Sequence, residues 1–556
     1  MDNNNNGQPK NDFKRNDGKK PFSSTSNRTG GSFNRGGQGG QNRGFGRPKS
    51  SDGKPSFGKS PSGDRPYADR GNRPSAPRGD KPAFAKPMGD KPAFSPKENG
   101  APIKAITPQP KDNPRMVALL AFSNIMQKDA FASQAINEQL KTKNLTQLDK
   151  RFCTRIVYTT VENLLAIDFA LSFFLKSQEN MESHVRDILR LSVCQYLFMD
   201  KVPDSAICDE AVKLTREIGM EPLTGLVNGV LRNMMRSKED IKWPEKEEDL
   251  ATHLSICHSM PKWIVHKLME AYGDEMAEKI VSHRTKDHYM VLRRNMLQLT
   301  EQQFEALLEK KVWLKEKGLV PNAYRVRDVS SVALDADYLG GKFSIQGEAS
   351  MLCAQIADAK RGMQVLDCCA APGGKTAYMA EMMGGTGRVY AWDLHEHRVA
   401  LLNAMKHRLK LDSVRPTVRD ASVLKEDLIN ACDLVLLDAP CTGLGVSEDK
   451  PDIKYRATEN NLNELVSVQG KLLETCARYV KKGGTMVYST CSILPQENEE
   501  QVKTFLENHP EFVLDQLPST VDPLFTEKMG EYGLQLLPAR DEIEGFFIAR
   551  LKKIKN

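Results

Sequence analysis

Residues 364–376 read QVLDCCAAPGGKT, a short apolar run that ends in an acid and continues into small residues and glycines. Gln364–Asp367 has the composition of a buried strand, and Gly373-Gly374 allows a backbone turn to pass close to a ligand as a helix begins. The spacing is neither GxGxxG nor GxxxxGKT, so it does not indicate a dinucleotide or a nucleoside triphosphate. We therefore predict a strand–turn–helix unit that binds a different ligand.

Apolar strand-like runs alternate with helical segments from residue 341 onward. They lie at residues 363–367, 389–393, 433–438 and 484–489, with a shorter run at Pro416–Arg419. This alternation predicts a parallel sheet covered by helices, and ligands bind such sheets at the carboxyl ends of the strands.

Two acids stand at the ends of such runs. Asp393 ends the second run and could accept hydrogen bonds from the hydroxyls of a ribose, and Asp420 follows the third, where it could meet an adenine amino group. Each acid alone is more often a helix cap or a turn residue. Because both follow strand ends downstream of a glycine-rich turn, we favour the ligand interpretation.

Two cysteines lie at the ends of neighbouring runs. Asp438 ends DLVLLD and is followed by Pro440-Cys441, and Cys491 follows Tyr488-Ser489-Thr490. A single cysteine at a strand end is usually a small buried apolar side chain. Two at one crevice favour covalent chemistry, in which a thiolate is the attacking group. Spacing alone does not decide which of the two attacks.

Residues 1–112 differ from the rest in composition: they are rich in Gly, Asn, Pro, Ser, Lys and Arg, with isolated Phe residues and GDKPAF at 79–84 and 89–94. Residues 1–110 hold 21 Lys/Arg and 9 Asp/Glu, a net charge of +12 in a chain whose total is +7. We predict a disordered basic tail that binds RNA through phosphate contacts and base stacking. A solubilising tail with no dedicated partner is the alternative.

The middle of the chain divides by pattern. Residues 113–238 are helical in pattern, and one helical face carries Val185, Ile188, Leu189, Ser192 and Tyr196. Residues 239–340 mix short helical and strand patterns. We therefore predict a helical domain at 113–238, a connecting subdomain at 239–340 and an α/β domain at 341–556.

Several protein classes are disfavoured. No apolar run approaches the roughly 18 residues of a membrane span, and the N-terminus does not resemble a secretory leader. The 11 cysteines include no CxxC pair, so we expect reduced thiols and no metal centre. We expect a cytoplasmic protein.

Several motifs together resemble the signature of RsmB-type enzymes of the Nol/Nop/Sun family of RNA cytosine-5 methyltransferases. The main ones are VLDCCAAPGGKT (365–376), DAPCTGLGV (438–446), PDIKY (451–455) and YSTCSILPQENEE (488–500). Supporting matches are LRRN (292–295), SIQGEAS (344–350) and LLPARDEIEGFFIARL (536–551). Stretches at 149–160, 190–198, 202–214 and 226–232 resemble the NusB-like RNA-binding domain that precedes the catalytic part. The resemblance implies an α/β Rossmann-like class I methyltransferase core, preceded by an all-α NusB-like domain and the disordered tail.

The resemblance also implies residue roles. Cys491 would be the nucleophile, Cys441 would assist breakdown of the covalent product, and Asp438 would contact both the cofactor region and a flipped cytosine. S-adenosyl-L-methionine would be held by Cys369, Ala370, Ala371, Pro372, Gly373, Gly374, Lys375, Asp393, Asp420 and Asp438. In DNA cytosine-5 methyltransferases the Pro-Cys motif supplies the nucleophile instead.

The target base must leave its stack to reach the thiol, which favours a loop or junction in structured RNA. The resemblance to RsmB-type enzymes implies that this RNA is 16S ribosomal RNA. We expect a monomer with no membrane partner. The same chemistry on transfer RNA and a non-catalytic RNA-binding assembly factor are the alternatives.

The chain departs from the family pattern at a few positions. Glu448-Asp449 stand where family members often carry an Arg pair, and Gly347 and Glu544 each stand where they often carry Asp. Losing two cations near the RNA should weaken phosphate contacts, and we expect the basic tail to compensate.

Overall fold

The computed structural model describes residues 112–175, 181–285, 289–329 and 332–555. The tail predicted at 1–112 lies outside these ranges apart from Asp112, so its predicted disorder stays a prediction. Within the described ranges, no helix is long and apolar enough to cross a membrane.

The first part of the described chain is helical. Asn113 caps the first helix by accepting a hydrogen bond from Arg115 N, and Pro114 occupies the first helical position, where its missing N–H is not needed. On the predicted amphipathic face, Val185, Ile188 and Leu189 are fully buried. The helices are α1 (Pro114–Lys128), α2 (Ala132–Thr142), α3 (Gln147–Glu162), α4 (Leu164–Ser172), α5 (Ser183–Phe198), α6 (Asp204–Glu217) and α7 (Thr224–Arg236).

The next part of the described chain contains four α-helices and a small antiparallel sheet of four strands. The elements are α8 (Leu250–Cys257), α9 (Lys262–Ser282), β1 (Met290–Arg294), α10 (Glu301–Glu309), β2 (Leu314–Lys317), β3 (Ala323–Arg327), α11 (Ala336–Leu339) and β4 (Phe343–Ile345). The strands lie in the order β2-β3-β1-β4. Phe304 and Phe343 lie in the core of this part, and both are fully buried.

The last part is a larger sheet with helices on both faces. Its first elements are α12 (Glu348–Ala357), β5 (Gln364–Asp367), α13 (Gly374–Met382), β6 (Arg388–Asp393), α14 (Glu396–Leu409), β7 (Val414–Val418), β8 (Cys432–Asp438) and α15 (Ile453–Arg456). They are followed by α16 (Glu459–Ala477), β9 (Val480–Thr490), α17 (Glu499–Asn508), β10 (Phe512–Leu514), α18 (Pro523–Thr526), β11 (Leu534–Leu536), α19 (Pro538–Asp541) and β12 (Phe546–Lys553).

The strands of this sheet run in the order β10-β12-β9-β8-β5-β6-β7, and β11 also pairs with β12. Strands β5 to β9 are parallel, whereas β12 is antiparallel to β9. The predicted α/β fold class is therefore confirmed. Strand β9 begins at Val480, earlier than the predicted run at 484–489. Val480 pairs with Cys432 of β8 before a register shift, and the polar and glycine residues that follow it, KKGG, interrupt the apolar pattern.

A buried ion pair joins the two sheets. Arg293 Nη1 of β1 lies 2.9 Å from Glu381 Oε2 of α13, and both side chains are fully buried. The Arg293 guanidinium also lies 4.7 Å from the centroid of the Tyr378 ring. Removing either charge would leave the other unpaired in the interior, which typically lowers the free energy of unfolding by about 3–5 kcal/mol. The pair therefore fixes the small sheet on the helix that begins at the glycine turn.

Candidate active site

The parallel strands bring their carboxyl ends to one edge of the sheet, where the predicted site residues follow them. Asp367 ends β5, Asp393 ends β6 and Asp438 ends β8, while Cys491 directly follows β9. The register of β8 and β9 places Asp438 opposite Ser489. The crevice at this edge therefore contains both cysteines and the strand-end acids.

The two cysteine thiols are in direct contact. Cys441 Sγ lies 3.2 Å from Cys491 Sγ, and both residues are partly buried. The turn after Cys441 packs against Cys491: Gly445 N donates to Cys491 O at 2.9 Å, and a Cβ on Gly445 would collide with Gly545 O. The close approach of the thiols therefore depends on glycine in this turn.

The charges around the thiols are asymmetric. The hydrogen bond from Cys441 lowers the pKa of Cys491, and the positive charges of Lys375 and Lys450 lower it further. Burial and the negative charge of Asp438 raise that pKa, but the net shift is downward. The pKa of Cys441 is raised by the same hydrogen bond, by burial and by the negative charges of Cys491 and Glu497. The surroundings therefore favour ionisation of Cys491 while Cys441 keeps its proton.

The side chain of Lys375 reaches toward the thiols rather than along the glycine turn. Its Nζ lies 2.8 Å from Asp438 Oδ2 and 4.8 Å from the centroid of the Phe546 ring. Asp438 Oδ1 accepts a hydrogen bond from Ser489 Oγ at 2.8 Å. Burial lowers the pKa of Lys375, but the charge and hydrogen bond of Asp438, together with the charges of Cys353 and Cys491, raise that pKa overall, so the ammonium stays charged. Lys375 belongs geometrically with the cysteines, although the sequence placed it with the cofactor turn.

Glu497 is a site residue that the sequence analysis missed. Its side chain is fully buried and accepts hydrogen bonds from Thr442 N at 2.8 Å, Thr442 Oγ1 at 2.6 Å and Gln469 Nε2 at 3.1 Å. It therefore holds the turn that carries Cys441. The available signal was its place in YSTCSILPQENEE, where it is an acid six residues after Cys491.

The glycine turn packs closely against α14, and its predicted approach to a ligand stays a prediction. Gly373 has φ = 108°, and a Cβ there would lie 2.5 Å from Met405 Cε and 2.9 Å from Leu402 Cδ2. Ala370 N donates to Trp392 O at 2.7 Å, which fastens the turn to β6. Cys369 is partly buried, Ala370 and Ala371 are buried, and Pro372 is exposed. Small side chains therefore surround the start of α13.

The acids at the strand ends differ in their partners. Asp393 accepts hydrogen bonds from Ala371 N at 3.3 Å and His395 N at 3.2 Å, and Arg398 lies 3.3 Å away. Asp420 accepts from Ser422 N at 2.9 Å and Ser422 Oγ at 2.6 Å, so it also stabilises a turn, as the alternative interpretation expected. Both acids nevertheless lie at the predicted edge.

Asp367 was missed although the same strand-end pattern marks it. Its Oδ2 accepts from Thr376 Oγ1 at 2.6 Å, while Oδ1 is buried and makes no hydrogen bond to a described residue. Burial raises the pKa of Asp367 to about 7. A buried carboxylate oxygen without a partner is expected to receive a donor from a ligand.

Known families match most of the described chain. Residues 354–552 match the family model of the 16S rRNA methyltransferase RsmB/F, residues 112–236 match the NusB family, and residues 260–332 match the ferredoxin-like domain of RsmF/B-like methyltransferases. The chain is 34% identical over 450 residues to the probable ribosomal RNA small subunit methyltransferase B of Bacillus subtilis (strain 168), covering 80% of this chain and 99% of that protein. This chain belongs to the RsmB/F methyltransferase family.

Further relatives support this assignment to the RsmB/F family. The probable ribosomal RNA small subunit methyltransferase B of Synechocystis sp. is 30% identical over 445 residues, covering 79% of this chain and 99% of that protein. The crystal structure of PH0851 superposes with a TM-score of 0.68 at 26% identity, over 79% of this chain and 99% of that one. The family is one of S-adenosylmethionine-dependent RNA methyltransferases, and the predicted resemblance is confirmed.

Two of the departures from the RsmB/F pattern lie in contact with each other. Gly347 precedes α12 without a capping side chain, and Glu544 Oε2 instead accepts from Ala349 N at 2.9 Å. A Cβ on Gly347 would collide with Glu544 Oε1. Glu544 therefore occupies the space that a side chain at position 347 would need, and it supplies the missing cap.

The remaining departure, Glu448-Asp449, includes an acid that joins two segments of the chain. Glu448 accepts a hydrogen bond from Thr285 N, and its Oε2 lies 3.7 Å from His283 Nε2. The acid therefore ties the loop after Cys441 to the segment that follows α9.

Proposed function

We propose that this chain methylates carbon 5 of a cytosine in 16S ribosomal RNA through a covalent enzyme–cytosine intermediate. The observation that carries the proposal is the contact of the Cys441 and Cys491 thiols beside the Lys375–Asp438 pair. Carbon 5 of cytosine is a poor nucleophile, so its methylation requires covalent activation by a thiolate. The ribosomal relatives support the choice of substrate.

The other half of the crevice fits S-adenosylmethionine. The unpartnered Asp367 Oδ1 offers an acceptor, the residues from Cys369 to Gly374 allow close backbone approach, and Asp393 and Asp420 would hold the ribose and the adenine. When bound there, S-adenosylmethionine would supply an electrophilic methyl group.

Cys491 begins the reaction. Its thiolate would add to carbon 6 of the flipped cytosine, forming a carbon–sulfur bond and moving the electron pair of the carbon 5–carbon 6 double bond to carbon 5 and, by conjugation, toward N3. The Lys375–Asp438 pair holds a hydrogen-bond donor beside the thiols for the ring atoms on which that charge accumulates. Carbon 5 would then be nucleophilic and could take the methyl group, with S-adenosylhomocysteine as the leaving group.

Cys441 would end the reaction. Its pKa is raised chiefly by the hydrogen bond to Cys491, together with burial and the negative charge of Cys491. Once Cys491 is a neutral thioether, the hydrogen bond and that charge are lost, so Cys441 can release its own proton to solvent and, as a thiolate, remove the proton from carbon 5. The electron pair then re-forms the ring double bond and expels the Cys491 thiolate. The proton ends on Cys441, which restores the starting state.

The test is bisulfite sequencing of 16S ribosomal RNA and transfer RNA from cells with and without the gene, complemented by single cysteine variants. We expect one cytosine of 16S ribosomal RNA to lose its methyl group without the gene. Cys491→Ala should lower turnover by at least about a thousandfold. Cys441→Ala should instead accumulate a covalent RNA–protein complex that survives denaturing electrophoresis.

Other outcomes would change the proposal. Full turnover by Cys491→Ala with none by Cys441→Ala would reverse the two roles. Loss of methylation only in transfer RNA would contradict the proposed substrate.

A further inference from the structure

Helix α3 has two opposite faces. One face packs in the helical core through Cys153, Ile156, Val157, Thr160 and Val161, all of which are buried. The opposite face carries Leu148, Arg151, Arg155 and Tyr158, at the spacing of neighbouring turns of one helix. Leu148 is 77% exposed, both arginines are exposed, and Tyr158 is partly buried. This outer face therefore combines two cations with an apolar and an aromatic side chain.

The two arginines of the outer face are available to a partner. In the described part of the chain, no carboxylate pairs with the guanidinium of Arg151 or Arg155, whereas Arg284 lies 2.9 Å from Glu162 at the end of the same helix. An exposed guanidinium without a carboxylate can bind a phosphate through two parallel hydrogen bonds. The neighbouring tyrosine ring offers a surface for base stacking.

The inner end of the face lies beside the segment that follows Cys441. Tyr158 packs against the same buried helical cluster as Tyr455 of that segment. Ile453 of the segment lies beside Gly443, next to Cys491 Sγ. The same segment is bonded to the helical part of the chain: Asp452 Oδ2 accepts from Ala132 N at 3.2 Å, and Lys454 Nζ donates to Glu162 O at 2.9 Å.

The outer end of the face lies where the basic tail joins. Asp112 Oδ2 accepts from Asn144 N at 2.8 Å, and Asp112 Oδ1 lies 3.7 Å from Lys143 Nζ. Thr146, two residues after Asn144, caps the start of α3. Asp112, the first described residue, therefore lies beside the first turn of this helix, and the sequence before it, residues 1–110, has a net charge of +12.

We propose that the face formed by Leu148, Arg151, Arg155 and Tyr158 is the surface along which the RNA backbone approaches the crevice. The proposal rests on the proposed function, since it assumes an RNA substrate. It also accounts for Glu448-Asp449, because cations absent from the loop after Cys441 are supplied by α3 instead. The RNA phosphates would bind Arg151 and Arg155, and Tyr158 would stack on a base close to the crevice.

The test is a double variant with a matched control. Arg151→Ala/Arg155→Ala removes the two cations of the face, and Arg232→Ala/Arg236→Ala removes two exposed arginines at the same spacing on α7. Binding to a fluorescently labelled 16S ribosomal RNA fragment is measured by anisotropy at several salt concentrations with the full chain. We expect the first variant to raise Kd about tenfold and to reduce the slope of log Kd against log salt by about 1.5, because two phosphate contacts are lost. The control should bind like the unmodified chain.

Two further measurements keep the result interpretable. Arg151→Lys/Arg155→Lys keeps both positive charges and should restore most of the slope of log Kd against log salt. Separately, thermal unfolding midpoints equal to that of the unmodified chain would show that the variants are folded. The turnover of the first variant at saturating RNA should be unchanged, since neither arginine belongs to the catalytic crevice. Because anisotropy requires no methyl transfer, the surface can be tested even if the chain methylates no RNA.

Several results would overturn the proposal. Unchanged RNA affinity and salt slope in Arg151→Ala/Arg155→Ala would show that the face does not contact RNA. An equal loss in the α7 control would show a general charge effect rather than a defined surface. Unchanged binding to RNA alone with weaker binding to a ribosomal protein would assign the face to a protein partner.

Discussion

The two halves of the crevice differ in how far their polar groups are already satisfied. At the ends of β8 and β9, Lys375 bonds to Asp438, Asp438 to Ser489, and Glu497 to Thr442. At the end of β5, one buried oxygen of Asp367 has no partner among the described residues. The cysteine half is therefore organised before any ligand binds, whereas the cofactor half leaves this one carboxylate oxygen for a ligand to satisfy. Such preorganisation matters most where charge develops during the reaction.

The largest expected effect on activity comes from replacing Lys375 in the cysteine half of the crevice. Lys375→Met removes a positive charge that lowers the pKa of Cys491, so that pKa should rise and the thiolate fraction at neutral pH should fall. We expect kcat/KM at pH 7 to fall about a hundredfold. Part of the loss should be recovered as the pH is raised. The measurement is the pH profile of turnover together with the rate of Cys491 alkylation by iodoacetamide, followed by mass spectrometry.

Lys471→Met, an exposed lysine of α16, is the control and should leave both profiles unchanged. If the alkylation profile of Cys491 does not move in Lys375→Met, the ammonium does not stabilise the thiolate.

The cofactor half is tested at Asp367. Asp367→Asn removes an acceptor and should raise the Kd for S-adenosylmethionine about tenfold. It should also stabilise the chain without ligand above neutral pH. Burial raises the pKa of Asp367 to about 7, so the folded chain favours the protonated acid and loses stability as the pH rises from about 4 toward and past 7. The gain in Tm of the variant should therefore be larger at pH 8 than at pH 5.

Calorimetry and thermal unfolding at both pH values measure these effects. Asp412→Asn, at an exposed aspartate, should show neither effect. A variant that binds S-adenosylmethionine normally would contradict the assignment of the unpartnered oxygen.

The contact of Gly347 with Glu544 lies beside both halves and should affect stability more than chemistry. Gly347→Ala forces a Cβ onto the Glu544 carboxylate and should cost about 1–3 kcal/mol of unfolding free energy. Adding Glu544→Asp, which shortens the obstructing side chain, should recover part of this loss. Urea unfolding of the two single variants and the double variant measures the coupling. Strictly additive losses would show that the two positions act independently.

The smallest effect should come from a change outside both halves. Deleting residues 1–110 removes a net charge of +12 and should raise the KM for RNA a few-fold, with a shallower salt dependence. The affinity for S-adenosylmethionine and the alkylation rate of Cys491 should stay the same. An unchanged KM with an unchanged salt slope would leave the tail without a role in substrate binding.

The sequence predicted positions in the fold better than the directions of long side chains. Asp393, Asp438 and Cys491 were located correctly because strand ends in a parallel sheet necessarily meet at one edge. Lys375 was grouped with the glycine turn because it follows it in sequence, but a flexible lysine extends well beyond its own backbone, to Asp438. Glu497 was missed because its partners, Thr442 and Gln469, are distant in sequence.

The ion pair of Arg293 with Glu381 has a consequence for how the chain unfolds and how such chains can be recombined. Because each charge is buried against the other, detaching the small sheet would break the pair and expose the apolar side chains that pack between the two parts to water. The small sheet and the methyltransferase core should therefore melt in a single cooperative transition. A chimera that exchanges one of these parts with a relative should fold only if both members of the pair come from the same parent.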